Sequence, residues 1–299
     1  MKILLTGASG FIGSKLLKSL IKKYGVESIV VLSSKNIKHV ECYIYKSPQD
    51  FNINEKYFKK VTHIIHAGAF IPKEASQVNN IEDSCSNIDF TKNLLKYKFE
   101  SLKRIINLST IDVYAASLEK LSEKSEINPS SLYGMSKLYC ERMIKCFSEN
   151  HKVDYINLRL GHVYGPGEEE YKKVIPVTIK KILESKPIQI WGNGTELRSF
   201  IFIEDVVNSI INSIFSPIND KNINVASGNA ISILELINML TSFNSRSHEI
   251  QKIQTNHASR DVIFDNSMLL NNILEKENDL KQGLKIEYEY MKKKYENNI

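Results

Sequence analysis

Tyr133 and Lys137 stand four residues apart in the run Tyr133-Gly134-Met135-Ser136-Lys137, which opens a helix expected to continue through Phe147. At that spacing both side chains leave one helix face. A phenol ordinarily titrates at about pH 10. A neighbouring ammonium favours the phenolate and is expected to lower that value, giving a group that exchanges a proton near neutral pH. The spacing by itself is common, since Tyr288/Lys292 and Tyr290/Lys294 share it in what reads as a solvated tail helix. The first pair differs in what precedes it. An apolar run, Arg104 to Leu108, ends in Ser109-Thr110-Ile111-Asp112-Val113-Tyr114, which places hydroxyls at a strand end. Parallel sheets hold their ligands at that end of their strands.

A second chemical stretch opens the chain. Ile3, Leu4 and Leu5 form a buried strand ending at Thr6, and Gly7, Gly10 and Gly13 follow. Then comes an amphipathic helix with Phe11, Ile12, Leu16, Leu17, Leu20 and Ile21 on one face, stopped by Gly25. In a strand, glycine turn, helix order the first glycine makes the tight turn, the second lets a pyrophosphate approach the backbone, and the third packs helix on strand. The free N–H groups of the helix face the phosphates. Gly7, Ser9, Gly10, Phe11, Ile12 and Gly13 are therefore expected to line a dinucleotide. The next strand, Ser28 to Leu32, ends in Ser33-Ser34-Lys35 with no acid to take the ribose hydroxyls. Hydroxyls and a cation suit a 2′-phosphate, so NADP is the expected cofactor and NAD the less favoured one.

The elements that must position these residues alternate strand and helix. Glu41 to Lys46 and Val61 to His66 read as strands, Asp83 to Phe99 as a helix, and Arg104 to Leu108 as a strand. This predicts a doubly wound parallel sheet covered on both faces. His66 reads as a structural histidine, and Ala67-Gly68-Ala69 as a small-residue loop that admits the cofactor. Ser232 to Leu240 reads as a later helix capped by its serine.

Composition bounds the class. The chain has 299 residues, 42% hydrophobic and 25% charged, which is enough to bury a full core. A net charge of +6 is carried by scattered lysines, without the basic stripe of a nucleic-acid binder. Its densest basic run, Lys292 to Lys294, reads as a solvated helix end. Cys42, Cys85, Cys140 and Cys146 show neither disulfide nor metal spacing, so reduced thiols, no metal and a cytoplasmic location are expected. No signal peptide and no membrane span is read.

Taken together these segments resemble the extended short-chain dehydrogenase/reductases that act on nucleotide sugars, the epimerase/dehydratase group. The glycine turn, HAGA at His66, NIDFTKNLL at Asn87, STIDVY, YGMSK, RLGHVYGPG (Arg159 to Gly167), WGNGTELRSFIFIEDVV (Trp191 to Val207) and NVASG (Asn224 to Gly228) occur in the family's order. The resemblance implies Tyr133 as acid/base, Lys137 as the residue that holds the nicotinamide ribose and tunes Tyr133, and Thr110 as partner of the reacting sugar oxygen. It implies Arg198 and Arg260 as the grip on the substrate diphosphate, a task that suits a planar guanidinium. His162 stands where the family commonly has a substrate-contacting asparagine, and HVYGPG followed by Ile175-Pro176 is similar to the CDP-abequose and CDP-paratose synthases, which reduce a 4-keto sugar. Asp112 is placed with the substrate residues, either as a second acid/base or, preferably, as a solvated rim residue. The dehydratase acid after the threonine is missing, because Ile111 occupies that position.

The expected architecture is a Rossmann domain of residues 1–160 and 199–226 with a smaller nucleotide-sugar-binding domain of 161–198 and 227–299. The expected activity is reduction of a nucleotide-linked 4-keto-6-deoxyhexose at carbon 4. A nucleotide-sugar 4-epimerase using NAD is the alternative, and a non-catalytic NADP sensor is the alternative of another class. A homodimer through the Asp83–Phe99 and Tyr133–Phe147 helices is what the resemblance implies.

Overall fold

A computed structural model describes residues 1–254 and 260–297. Its elements are β1 (Ile3–Thr6), α1 (Phe11–Tyr24), β2 (Ile29–Ser33), β3 (Glu41–Ile44), β4 (His63–His66), α2 (Ile81–Leu95), β5 (Arg104–Thr110), α3 (Leu132–His151), β6 (Asp154–Leu160) and β7 (His162–Tyr164). They continue with α4 (Val174–Leu183), β8 (Ile188–Trp191), β9 (Leu197–Phe202), α5 (Ile203–Ser213), β10 (Lys221–Val225), β11 (Ala230–Ser232), α6 (Ile233–Thr241), β12 (Ile250–Ile253), α7 (Ser267–Asn272) and α8 (Leu280–Glu296).

Seven strands form one parallel sheet in the order β3-β2-β1-β4-β5-β6-β10. The winding reverses between β1 and β4, as in doubly wound sheets. Successive strand residues serve opposite faces, so Ile3 and Leu5 join the core under α1 and α5, while Leu4 joins the one under α2 and α3. This explains why the strands read as continuous apolar runs rather than as alternation. A smaller region carries a three-stranded sheet, β11-β9-β7, and a parallel pair, β8 and β12.

Element ends differ from the sequence reading where side chains cap them. Asn80 accepts the N–H of Asp83 (3.0 Å), so α2 begins at Ile81, and it ends at Leu95 rather than Phe99. Ser131 accepts the N–H of Gly134 (3.1 Å) and sets the start of α3. Ser232 caps α6 as expected, with Glu235 completing a reciprocal capping box. The tail is a correction. Tyr288 is buried against Phe243, and Leu284 and Glu287 are buried with it, so α8 docks on the body of the protein instead of standing in solvent. Its apolar face was masked in the sequence by interleaved lysines. Among the described residues no helix is long and apolar enough to cross a membrane.

Candidate active site

The carboxyl end of β1 opens into the glycine turn. Gly7 takes φ +73°, a left-handed conformation that glycine adopts without a Cβ penalty. A Cβ on Gly13 would stand 2.0 Å from the Gly7 carbonyl oxygen, so turn and helix meet backbone to backbone. Gly10 caps α1 without a side-chain bond to the free N–H groups, and no acid lies in the first turn. That end is positive, uncapped and open to close approach by an anion, which fits the phosphates of a dinucleotide. Ser9 is exposed at the tip, Ile12 is half-buried, and Phe11 packs beneath against Tyr171.

Thr6 ties this turn to the next loop. Its Oγ1 accepts the N–H of Gly68 (2.8 Å) and meets His66 Nδ1 (2.9 Å), while His66 Nε2 meets Thr91 Oγ1 (3.0 Å). Burial pushes the His66 imidazole down to about 3, so it is a neutral structural group, as read from the sequence. It fixes Ala67, Gly68 and Ala69 beside the glycine turn. At the end of β2, Ser34 and Lys35 are exposed, whereas Ser33 is buried and its hydroxyl accepts the N–H of Lys35 (3.1 Å).

Thr110 is the last residue of β5. Its hydroxyl accepts the N–H of Asp112 (3.2 Å) and donates to Asp112 Oδ2 (3.1 Å), and it lies near the Tyr133 phenol. Tyr133 and Lys137 are both buried on the inner face of α3. The helix comes close because residue 134 is glycine: a Cβ there would lie 2.4 Å from the Asp112 carbonyl oxygen. Here the sequence expectation is corrected. The Tyr133 phenol is pushed up, not down, by burial and then by the Asp112 carboxylate. Lys137 is pushed down by burial, against the pull of Cys140 and Glu141. Desolvation acts on both groups and disfavours both charged forms. Asp112 is exposed, as a rim residue would be. Solvent reaches it from one side, but protein crowds its carboxyl and raises its pKa, with Thr110, Arg260 and Lys173 opposing that rise.

Beside these groups lies a cavity of about 280 Å³ lined by His162, Val163, Lys173, Ile175, Arg198 and Phe200. His162 is held neutral, its imidazole pushed down to about 4 by burial and by Lys173 and Arg198. Its Nε2 is buried without a hydrogen-bond partner among the described residues. Arg198 donates to the carbonyls of Leu197 (2.9 Å) and Arg260 (2.5 Å). Arg260 itself is exposed. Thr110, Asp112 and Tyr133 thus stand together at the carboxyl end of β5, none of them lining the His162 cavity, while Lys173 of that cavity acts on both Asp112 and His162, and Arg260 on Asp112.

A model of the NAD dependent epimerase/dehydratase family matches residues 3–226. The chain belongs to that family. It is 31% identical over 235 residues to the dTDP-D-glucose 4,6-dehydratase of Dictyostelium discoideum, covering 70% of this chain and 54% of that protein, so it spans about half the length of that relative. It is 30% identical over 250 residues to a putative UDP-glucose 4-epimerase of Methanocaldococcus jannaschii, covering 80% and 81% of the two. Among solved structures, UDP-glucuronic acid 4-epimerase from Bacillus cereus in complex with NAD is similar with a TM-score of 0.85 and 26% identity, over 100% of this chain and 99% of that one. UDP-glucose 4-epimerase from Thermotoga maritima shares the fold at a TM-score of 0.84 and 22% identity, over 99% and 100%. By that family the chain is of the extended short-chain dehydrogenase/reductase type.

Within this family frame the structure adds residues that the sequence reading gave no role. Asn87 is buried on α2. Its Oδ1 accepts the N–H of Phe70 (2.7 Å), and its Nδ2 donates to the Phe70 carbonyl (3.3 Å) and to Ser136 Oγ (3.1 Å), pinning the loop after β4 to α3. The only signal available was its place in NIDFTKNLL. The segment 165–173 forms a strap between β7 and α4. Lys172 donates its N–H to the Lys73 carbonyl (2.9 Å), and Lys73 pairs with Glu170 (2.6 Å), which clasps the strap to the loop after β4.

The strap also carries a buried acid pair. Glu168 and Glu287 of α8 are each 1% exposed, their carboxyls act on one another, and none of their four carboxyl oxygens meets a hydrogen-bond partner at ordinary distance among the described residues. Lys173 Nζ is 3.6 Å from Glu168. Burial raises Glu168 to about 7 and Glu287 well above its ordinary value, Glu168's own charge adding to the latter shift. In the unfolded chain both ionise near 4.5. A raised carboxyl pKa gives stability that is whole below the unfolded value of 4.5 and is lost as pH rises from there through about 7. Glu287→Gln, whose amide can donate to Glu168 at any pH, is therefore expected to melt higher than the wild type at pH 8 and alike at pH 5. The gain corresponds to roughly 2–4 °C per kcal/mol for a domain of this size. Thermal melts at the two pH values check this, and an equal difference at both would dismiss the shared proton.

Proposed function

We propose that the chain reduces a nucleotide-linked 4-keto-6-deoxyhexose at carbon 4, using NADPH. The observation that carries this reading is the placement of Tyr133 and Lys137 on the buried face of α3, beside Thr110 at the carboxyl end of β5. A phenol held in its acid form is a donor, and reduction of a carbonyl needs a donor at its oxygen. When bound, the nicotinamide cofactor supplies the hydride. Tyr133 gives its proton to the oxygen as the carbonyl becomes an alcohol. Thr110 hydrogen-bonds the same oxygen and stabilises the charge developing there. Lys137, one turn along α3, stabilises the phenolate left behind. Ile111, buried in an apolar cluster, cannot serve as an elimination acid, which speaks against a dehydratase.

Arg198 and Arg260 are assigned to the diphosphate and His162 to the substrate beside them. The exposed Ser34 and Lys35 support a preference for NADP through its 2′-phosphate. The seven-stranded sheet and its helices serve the cofactor, and the region holding the cavity serves the nucleotide sugar. Exposed Ile81, Met135 and Tyr139 on α2 and α3 support a homodimer through these helices.

A second reading, an NAD-dependent 4-epimerase, is favoured by the likeness to the putative archaeal UDP-glucose 4-epimerase. One experiment separates them. Purified protein is mixed with NADPH and either CDP- or dTDP-4-keto-6-deoxyglucose while NADPH absorbance is followed, and a parallel sample receives UDP-glucose. Stoichiometric loss of NADPH is expected. Interconversion of UDP-glucose and UDP-galactose without net cofactor use, and no loss of NADPH with either keto sugar, would replace the reductase by the epimerase.

A further inference from the structure

Tyr133, Lys137 and Glu141 follow one another at intervals of four, so all three project from the inner face of α3. Glu141 is 3% exposed, yet every contact it needs is made. Its Oε1 accepts from Ser109 Oγ (2.6 Å) and Arg159 Nε (3.0 Å), and its Oε2 accepts from Arg159 Nη2 (2.8 Å). The Arg159 guanidinium lies 4.9 Å over the Tyr114 ring and donates through Nη1 to Tyr114 Oη (3.0 Å), which donates to Asn224 Oδ1 (2.6 Å). One carboxylate thereby ties α3 to the carboxyl ends of β5 and β6 and, through Tyr114, to β10. Ser109 is the residue before Thr110, so the tie fixes the spacing between the strand that bears Thr110 and the helix that bears Tyr133.

A buried ion pair adds little net stability over a well-packed apolar replacement. A fully satisfied one that bridges two reacting groups sets geometry. We infer that Glu141 is a positioning residue for the proposed reaction: held by Arg159 and Ser109, it sets Tyr133 in register with Thr110 and places its carboxylate one helical turn from the Lys137 ammonium. The groups around Lys137 are consistent with this. They are Cys140 and Glu141 on its own helix and the neutral His66 on β4. Around Glu141 stand Arg159 and Tyr155 from β6, Tyr114 from the loop after β5, and Lys137 and Cys140 from α3. Lys137 and Arg159 are cations there, and Arg159 stays ionised at all working pH values.

The inference rests on the reductase reading, and its test has one arm that does not. In the full-length chain, Glu141→Gln keeps the volume and removes the charge. Lysine labelled with ¹³C at Cε reports Lys137 directly, the resonance being assigned with Lys137→Met. The Lys137 titration midpoint is expected to fall by about one pH unit in Glu141→Gln, because an opposite charge nearby is worth at least that much. With NADPH and the keto sugar, kcat is expected to fall at least 30-fold while KM stays within threefold, and the alkaline limb of the rate profile moves with the midpoint. An unmoved midpoint in a folded variant overturns the inference. Absence of turnover in the wild-type protein overturns the reductase reading alone, and the midpoint still decides the role of Glu141. Should Glu141→Gln fail to fold, Ser109→Ala cuts the tie to β5 without touching the charge. A three- to tenfold fall in kcat at unchanged KM and unchanged Lys137 midpoint is then expected, and an unchanged kcat overturns the inference.

Discussion

Tyr133→Phe is expected to lower kcat by about 10²- to 10⁴-fold, the usual worth of a positioned general acid, while the nucleotide-sugar KM changes little. The phenol is buried near Thr110, and after burial the Asp112 carboxylate is the largest influence opposing its ionisation. Phenylalanine keeps the ring, including its edge contact with Phe70 at 6.4 Å, and deletes only the proton. Thermal melting should therefore stay close to that of the wild type. A single-turnover measurement with saturating NADPH and keto sugar isolates the chemical step. Near-normal turnover would remove Tyr133 from the reaction and leave the proton to another group, Asp112 being the candidate within reach.

Gly13→Ala is expected to abolish detectable cofactor binding and to destabilise the fold by at least the 1–3 kcal/mol typical of overpacking. The added methyl would sit 2.0 Å from the Gly7 carbonyl oxygen and 3.1 Å from the Ala8 Cα, both backbone atoms that cannot swing aside. Relief requires α1 to move away from β1, and the N-terminal amides of α1 move with it. Fluorescence titration with NADPH and a thermal melt measure the two effects. Gly10→Ala serves as the contrast: its Cβ would make only an ordinary 3.4 Å contact within the chain, so the fold should persist while binding weakens. Equal melting of Gly13→Ala and wild type would show that turn and helix are less tightly joined than their backbone atoms imply.

Much of the fold was legible because its signals are local. The apolar runs at Ile3 to Leu5 and Ile29 to Leu32 announce strands buried on both faces. The three glycines announce the turn between strand and helix, and Ser232 with Glu235 announces a helix start. His66 was read as structural, and its bonds to Thr6 and Thr91 make it so. Element ends were less legible. Asn80 could be recognised as a cap only once the helix after it was known, and the burial of Tyr288 was hidden among lysines.

By itself the sequence determined the order of strands and helices, the place of the glycine turn at the head of the sheet, and the shared helix face of Tyr133 and Lys137. Each depends on residues a few positions apart, where backbone periodicity is enough. The tertiary structure alone decided the charge state of the site. Gly134 lets α3 settle onto the Asp112 loop, and the burial and nearby carboxylate that result push the Tyr133 phenol up rather than down. Glu168 meets Glu287, and Glu141 meets Arg159, only after distant segments pack. A pKa depends on what surrounds a group in every direction and on how much water has left, and no reading along a single line of residues contains that.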